Sequence, residues 1–150
     1  IKLKRKMIKS DIKKGDIYYA SLNPAIGSEQ RGERPVVVLQ NDCGNKYSPT
    51  VIVAPLTKII KKEKLPTHIL IHSNDFLRYN SLILLEQIRV IDKSRIISYM
   101  GSLLDYQLDK VNRALVDVFD FDIISYLKTY GIGENYVQKK KRLYSNYYSE

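Results

Sequence analysis

Six short runs rich in β-branched and aromatic residues crowd into residues 16–100, and the spaces between them are mostly too short for parallel crossovers. They are Asp16–Leu22 (DIYYASL), Pro35–Leu39 (PVVVL), Thr50–Pro55 (TVIVAP), Thr67–Ile71 (THILI), a run from Leu82 through Arg89, and Arg95–Met100. The pattern predicts a mainly β, α+β chain built as a small antiparallel barrel or sandwich. From Asp105 the period changes: Leu108, Val111, Leu115 and Val118 with Phe119 recur every three or four residues, while Asp109, Lys110, Asn112, Arg113 and Asp117 fill the opposite face. This is an amphipathic helix, with Asp105 as its N-cap and Gly131 as its stop.

A chain of 150 residues with 44% apolar and 27% charged residues has material for one core, which excludes a wholly disordered chain. One cysteine, Cys43, excludes a disulfide scaffold and fits a reducing compartment. No apolar stretch reaches about 18 residues, and the basic start IKLKRK has no apolar segment behind it, so a soluble, cytoplasmic protein with no membrane partner is expected.

The net charge of +9 sits at the ends. Residues 1–14 carry seven Lys/Arg against one Asp, and residues 136–150 carry four against one Glu, leaving residues 15–135 neutral. A globular part that handles a polyanion must therefore use a few placed cations in a groove. Tyr130, Tyr136, Tyr144, Tyr147 and Tyr148 cluster in the tail near KKKR, and fit an RNA stacking platform and a helix packed on a dimer partner equally well.

The connection between the first two runs, Asn23 to Arg34 (NPAIGSEQRGER), is twelve residues long where hairpins usually need about two to five. Composition alone favours a solvated polar loop. It nevertheless gathers Ser28, Glu29, Gln30, Arg31, Glu33 and Arg34 between glycines, and Pro35 holds Arg34 extended at the mouth of a rigid strand.

The ordered set Gly15-Asp16-Ile17-Tyr18, Gly27-Ser28-Glu29-Gln30, Gly32, Arg34-Pro35-Val36-Val37-Val38, Gln40-Asn41-Asp42, Ser48-Pro49-Thr50 and Ala54-Pro55-Leu56-Thr57 resembles the MazF/PemK family of toxin endoribonucleases. The likeness continues through Lys64-Leu65-Pro66-Thr67-His68 and Leu84-Leu85-Glu86-Gln87-Ile88-Arg89. It implies a five-stranded SH3-like barrel of the MazF/CcdB type with a C-terminal helix, a homodimer, an acidic antitoxin partner, and cleavage of single-stranded RNA without metal or other cofactor. It also implies catalytic roles for Arg34 and Thr57 on the scissile phosphate and for Glu29 as base, with the ribose 2′-OH as nucleophile. Ser28, Gln30 and Gln87 are the expected readers of substrate, since amides and hydroxyls pair with exposed base edges. On its own pattern Gln87 lies in a strand, and Thr57 is an ordinary strand-end residue.

The expected organisation is a basic leader over residues 1–11, which need not be native before Met7, a toxin domain over 12–123, and a basic, Tyr-rich extension over 124–150. The leader and the extension have no family counterpart. Two rival functions share the fold: a gyrase-inhibiting toxin of the CcdB kind, and a non-catalytic SH3-like RNA-binding module. His68 and His72 lie about 13 Å apart along a strand and cannot close on one metal ion. Cys43 has no sequence neighbour to activate it and is expected to be an inert loop thiol, while Asp120 and Asp122 are expected to be solvated.

Overall fold

The computed structural model describes residues 12–131 together with Gln138, Arg142 and Ser145. The basic leader and four of the five tail tyrosines, all but Tyr130, lie outside the described residues. The described residues fall into two compact units, divided between Val118 and Phe119.

The first unit contains β1 (Asp16–Ser21), β2 (Glu33–Val38), α1 (Asp42–Tyr47), β3 (Thr50–Thr57), β4 (His68–Ile71), β5 (Ser81–Leu84), β6 (Arg89–Asp92), β7 (Ile96–Ser102) and most of α2 (Asp105–Phe119). Every strand pairing is antiparallel, in the order β4-β5-β3-β2-β1-β7, with β6 also on β3. Strand β3 is shared: Thr50–Val53 pairs with β6, and Leu56–Thr57 pairs with β5. The five strands β7-β1-β2-β3-β6 match the expected number, and the β4–β5 hairpin is added to them.

Both faces of this sheet are buried at its centre, in β1, β2 and most of β3, which explains why β2 and β3 read as solid apolar runs, while Val90 of β6 and Ile97 and Tyr99 of β7 are exposed. Register sets Ile17 opposite Val37 and Val37 opposite Ala54, and all three enter one core with Leu56, Ile83 and Leu85. The alternate residues Tyr18, Val36, Val38 and Val53 enter a second core with Leu22, Val51 and Ile91. Helix α2 closes the first core through Val111 and Ala114, flanked by Leu108, Leu115 and Val118. Full burial of Val111 contributes about 1.5–3 kcal/mol.

Several local expectations need correction. The run from Leu82 to Arg89 is not one strand: a 3₁₀ turn over Leu85–Gln87 separates β5 from β6. Asp105 is the first helical residue of α2; the Leu104 N–H, one position earlier, is satisfied by the Gln107 side chain at 2.9 Å. Helix α2 stops before Asp120, whose φ of 51° breaks the helical geometry. Cys43 lies on α1 and is half-buried.

In the second unit, α3 (Ile123–Tyr130) is capped by Asp122, whose carboxylate accepts the Ser125 N–H at 2.8 Å. Gly131 therefore ends α3 and not α2, returning its N–H to the Leu127 carbonyl. Phe119 is exposed and stacks on Phe121 at 5.4 Å, so it takes no place on the buried face of α2. No helix among the described residues is long and apolar enough to cross a membrane.

Candidate active site

The long loop after β1 is tied down at its neck and its tip. At the neck the Leu22 N–H donates to the Gly32 carbonyl at 2.9 Å, and the Asn23 side chain accepts the Gly32 N–H at 3.0 Å. Gly32 has φ 78°, a conformation that glycine adopts without the clash a Cβ brings. Arg89 reaches the Leu22 carbonyl at 3.0 Å, and Arg95 bonds the carbonyl of Asn23. At the tip the Gln87 amide donates to the Ser28 carbonyl and accepts from the Gln30 N–H, each at 3.4 Å. Ser28 and Gln87 thus meet through the Ser28 backbone.

Arg34 leaves this loop inside β2, held there by the pairing of its strand with β1, where it faces Ala20. Its Nε donates to the Arg31 carbonyl at 2.8 Å. Its terminal nitrogens have no hydrogen-bond partner among the described residues. The guanidinium is half-buried in a hollow of about 440 Å³ whose wall includes Thr57, Tyr19, Lys58, Arg78 and Tyr79. Burial lowers the Arg34 pKa from its ordinary value, against an opposing effect of Tyr19. The group stays cationic, with fewer waters competing for its charge. Thr57 ends β3, and its Oγ1 accepts the Ile59 N–H at 3.2 Å, which leaves the hydroxyl hydrogen to donate. A guanidinium and a hydroxyl in one hollow can grip a phosphate.

Glu29 stands apart from that pair. It lines a second hollow of about 440 Å³ together with Gln30, Glu86, Gln87 and Arg89, and its carboxylate accepts the Ile26 N–H at 3.0 Å. The structure therefore brings Arg34 to Thr57, and Glu29 to Gln30 and Gln87. The carboxylate that lines the Arg34 hollow is Glu33.

His68 is engaged within the protein through both ring nitrogens. Its Nε2 lies 2.7 Å from the Glu86 carboxylate and its Nδ1 lies 3.0 Å from the Lys62 carbonyl. Among the described residues no group of three or more His, Cys, Asp or Glu is placed to hold a metal ion.

Four residues of the Arg34 hollow escaped the sequence reading: Tyr19, Lys58, Arg78 and Tyr79. Two had signals available. Tyr18 is fully buried, so the alternation of a strand turns Tyr19 the other way, and Lys58 directly follows Thr57. Arg78 and Tyr79 come from the 72–80 connection and had none.

A family model described as PemK-like, MazF-like toxin of type II toxin-antitoxin system matches residues 13–119. Endoribonuclease EndoA of Bacillus subtilis is 52% identical over 105 residues, which are 69% of this chain and 90% of that protein. Among solved structures, MazF from Deinococcus radiodurans superposes with a TM-score of 0.65 at 21% identity, covering 73% of this chain and 97% of that one. A mycobacterial endoribonuclease in complex with its cognate antitoxin gives a TM-score of 0.58 at 20% identity, with coverage of 73% and 94%.

Proposed function

The chain belongs to the PemK-like, MazF-like family of type II toxins and is an endoribonuclease, and from that premise we propose how its residues cut single-stranded RNA. The observation that carries the reading is the Arg34–Thr57 hollow. Cleavage without a metal uses the ribose 2′-OH as nucleophile: its oxygen bonds to phosphorus, its proton passes to a base, and the bond from phosphorus to the 5′-oxygen breaks. The 5′-oxygen then takes a proton from water. The products are a 2′,3′-cyclic phosphate and a 5′-OH. Charge gathers on the non-bridging oxygens as the phosphorus becomes five-coordinate, and that is where preorganised donors act, at about 10²–10³ in rate for each. Arg34 supplies the charge through its terminal nitrogens and Thr57 supplies an O–H donor. Arginine is a poor proton carrier at neutral pH, so its role is electrostatic.

Glu29 is our base. Its carboxylate must first leave the Ile26 N–H, an exposed hydrogen bond worth on the order of 1 kcal/mol, which bound RNA readily replaces. Catalytic contacts often tighten only when substrate is present. Ser28, Gln30 and Gln87 lie beside Glu29 at the loop tip, where splayed bases meet amide groups.

The partners follow from the same chemistry. An acidic antitoxin segment that lays carboxylates against Arg34 would compete with RNA for the hollow. The toxin acts as a homodimer in the cytoplasm, where its RNA is. Incubating the pure protein with a long single-stranded RNA in EDTA tests the proposal. Discrete fragments are expected. Intact but retarded RNA would indicate a binding module, and neither effect would leave the gyrase-inhibiting toxin.

A further inference from the structure

Tyr79 is the large exposed aromatic residue on the wall of the Arg34 hollow, with 51% of its surface accessible. Two cations lie over its ring: the Lys58 ammonium at 5.2 Å and the Arg78 guanidinium at 5.4 Å from the centroid. They reach it from different places, since Lys58 follows β3 directly after Thr57, and Arg78 precedes Tyr79 in the β4–β5 connection.

That connection is built as a support. The Asn74 side chain accepts the N–H groups of Phe76 and Leu77 at 3.0 and 2.9 Å, and the Ser81 hydroxyl donates to the Tyr79 carbonyl at 2.9 Å. Leu77 is buried in the first core. Phe76 lies so close over Gly101 that a Cβ there would come within 2.3 Å of the ring. An exposed aromatic ring on an anchored loop, beside the guanidinium that takes the scissile phosphate, has the properties of a stacking platform.

We propose that Tyr79 stacks a nucleobase of the RNA next to the cut, and that the base displaces Lys58, whose ammonium then pairs with a backbone phosphate. The inference rests on the ribonuclease reading and assigns a substrate subsite to the same hollow. A base stacked on an aromatic ring gains more than an exposed ammonium over that ring, so the exchange favours RNA. Freed Lys58 keeps its charge and loses little, because a long side chain beside Thr57 is within reach of the phosphate chain. Stacking is tolerant of base identity, so Tyr79 strengthens binding without setting the cut sequence.

The experiment measures Kd by fluorescence anisotropy, using an RNA oligonucleotide with deoxyribose at the cut so that it binds without being consumed. A set of such oligonucleotides carries one abasic nucleotide at each position around the cut. In the wild-type protein one position should be sensitive, losing about tenfold in affinity. Tyr79→Ala should lose a similar factor on the intact oligonucleotide and show no further loss at that position, while Tyr79→Phe restores both behaviours. An intact-oligonucleotide Kd for Tyr79→Ala equal to wild type, or an abasic profile unchanged by it, overturns the platform. Cleavage of the all-ribose oligonucleotide, followed separately, tests the ribonuclease reading. Binding with the Tyr79-dependent profile but without cleavage would uphold the platform and defeat that reading.

Discussion

Arg34 and Thr57 line one hollow from neighbouring strands, each two residues beyond the Val36–Pro55 pair at which the register between β2 and β3 ends. Two strands buried on both faces thus fix a guanidinium and a hydroxyl in one hollow. Arg34→Ala and Thr57→Ala should each reduce kcat/KM for RNA cleavage by about two orders of magnitude or more. Their Tm should stay close to wild type, because neither side chain belongs to a core. Arg34→Lys should restore little: lysine keeps the charge but loses the forked geometry that lets Nε hold the Arg31 carbonyl while the terminal nitrogens face the phosphate. Wild-type cleavage by either alanine variant would remove that residue from the mechanism, and wild-type cleavage by Arg34→Lys would show that the charge alone suffices.

Glu29 as base predicts that Glu29→Gln loses most of kcat/KM at neutral pH, because an amide cannot take the proton of the 2′-OH. If Glu29→Gln cleaves like wild type and Glu33→Gln does not, the base is Glu33, the carboxylate that lines the Arg34 hollow.

Gly101→Ala places a methyl group where Phe76 lies. Overpacking of this kind costs roughly 1–3 kcal/mol, a fall in Tm of about 5–10 °C for a unit this size. Adding Phe76→Ala should relieve the clash, so the double variant should be less destabilised than the two single effects added together. Strict additivity would mean that the residues do not press on each other.

Glu86 carries a pH prediction. Burial by itself would raise its pKa, but the hydrogen bonds from His68, its own backbone and Thr67, with the charge of His68, together bring it below its ordinary 4.5. A carboxyl lowered by folding stabilises the protein fully above the unfolded value and ceases to do so as the pH falls through the folded value. Stability should therefore decline below about pH 4.5 more steeply in wild type than in Glu86→Gln. Parallel stability curves in that range would show that the His68–Glu86 pair adds nothing.

The strands were legible because burial on both faces leaves runs such as PVVVL with nothing polar in them. The break at Leu85–Gln87 was not, since Leu85 is buried and keeps the apolar pattern going while the backbone turns. Helix α1 was missed for a different reason. It contains Gly44 and Asn45, both poor helix formers, and beside its Asn41 N-cap at 2.9 Å it is held by a tertiary bond, from the buried Lys93 ammonium to the Asn45 carbonyl. At the site, Arg34 could be found beside its proline. Its sharing a hollow with Arg78 and Tyr79 could not, because those residues lie more than forty positions away in sequence.

The most direct test of the mechanism replaces one ribose by deoxyribose at the mapped cut in an otherwise unchanged RNA. Loss of the 2′-OH should abolish cleavage at that bond while the Kd stays within about twofold, and the all-ribose control should be cut to 2′,3′-cyclic phosphate and 5′-OH ends. Continued cleavage of the deoxy-substituted bond, or of an all-DNA strand, would contradict the mechanism, since neither contains the nucleophile that Arg34, Thr57 and Glu29 are held to serve.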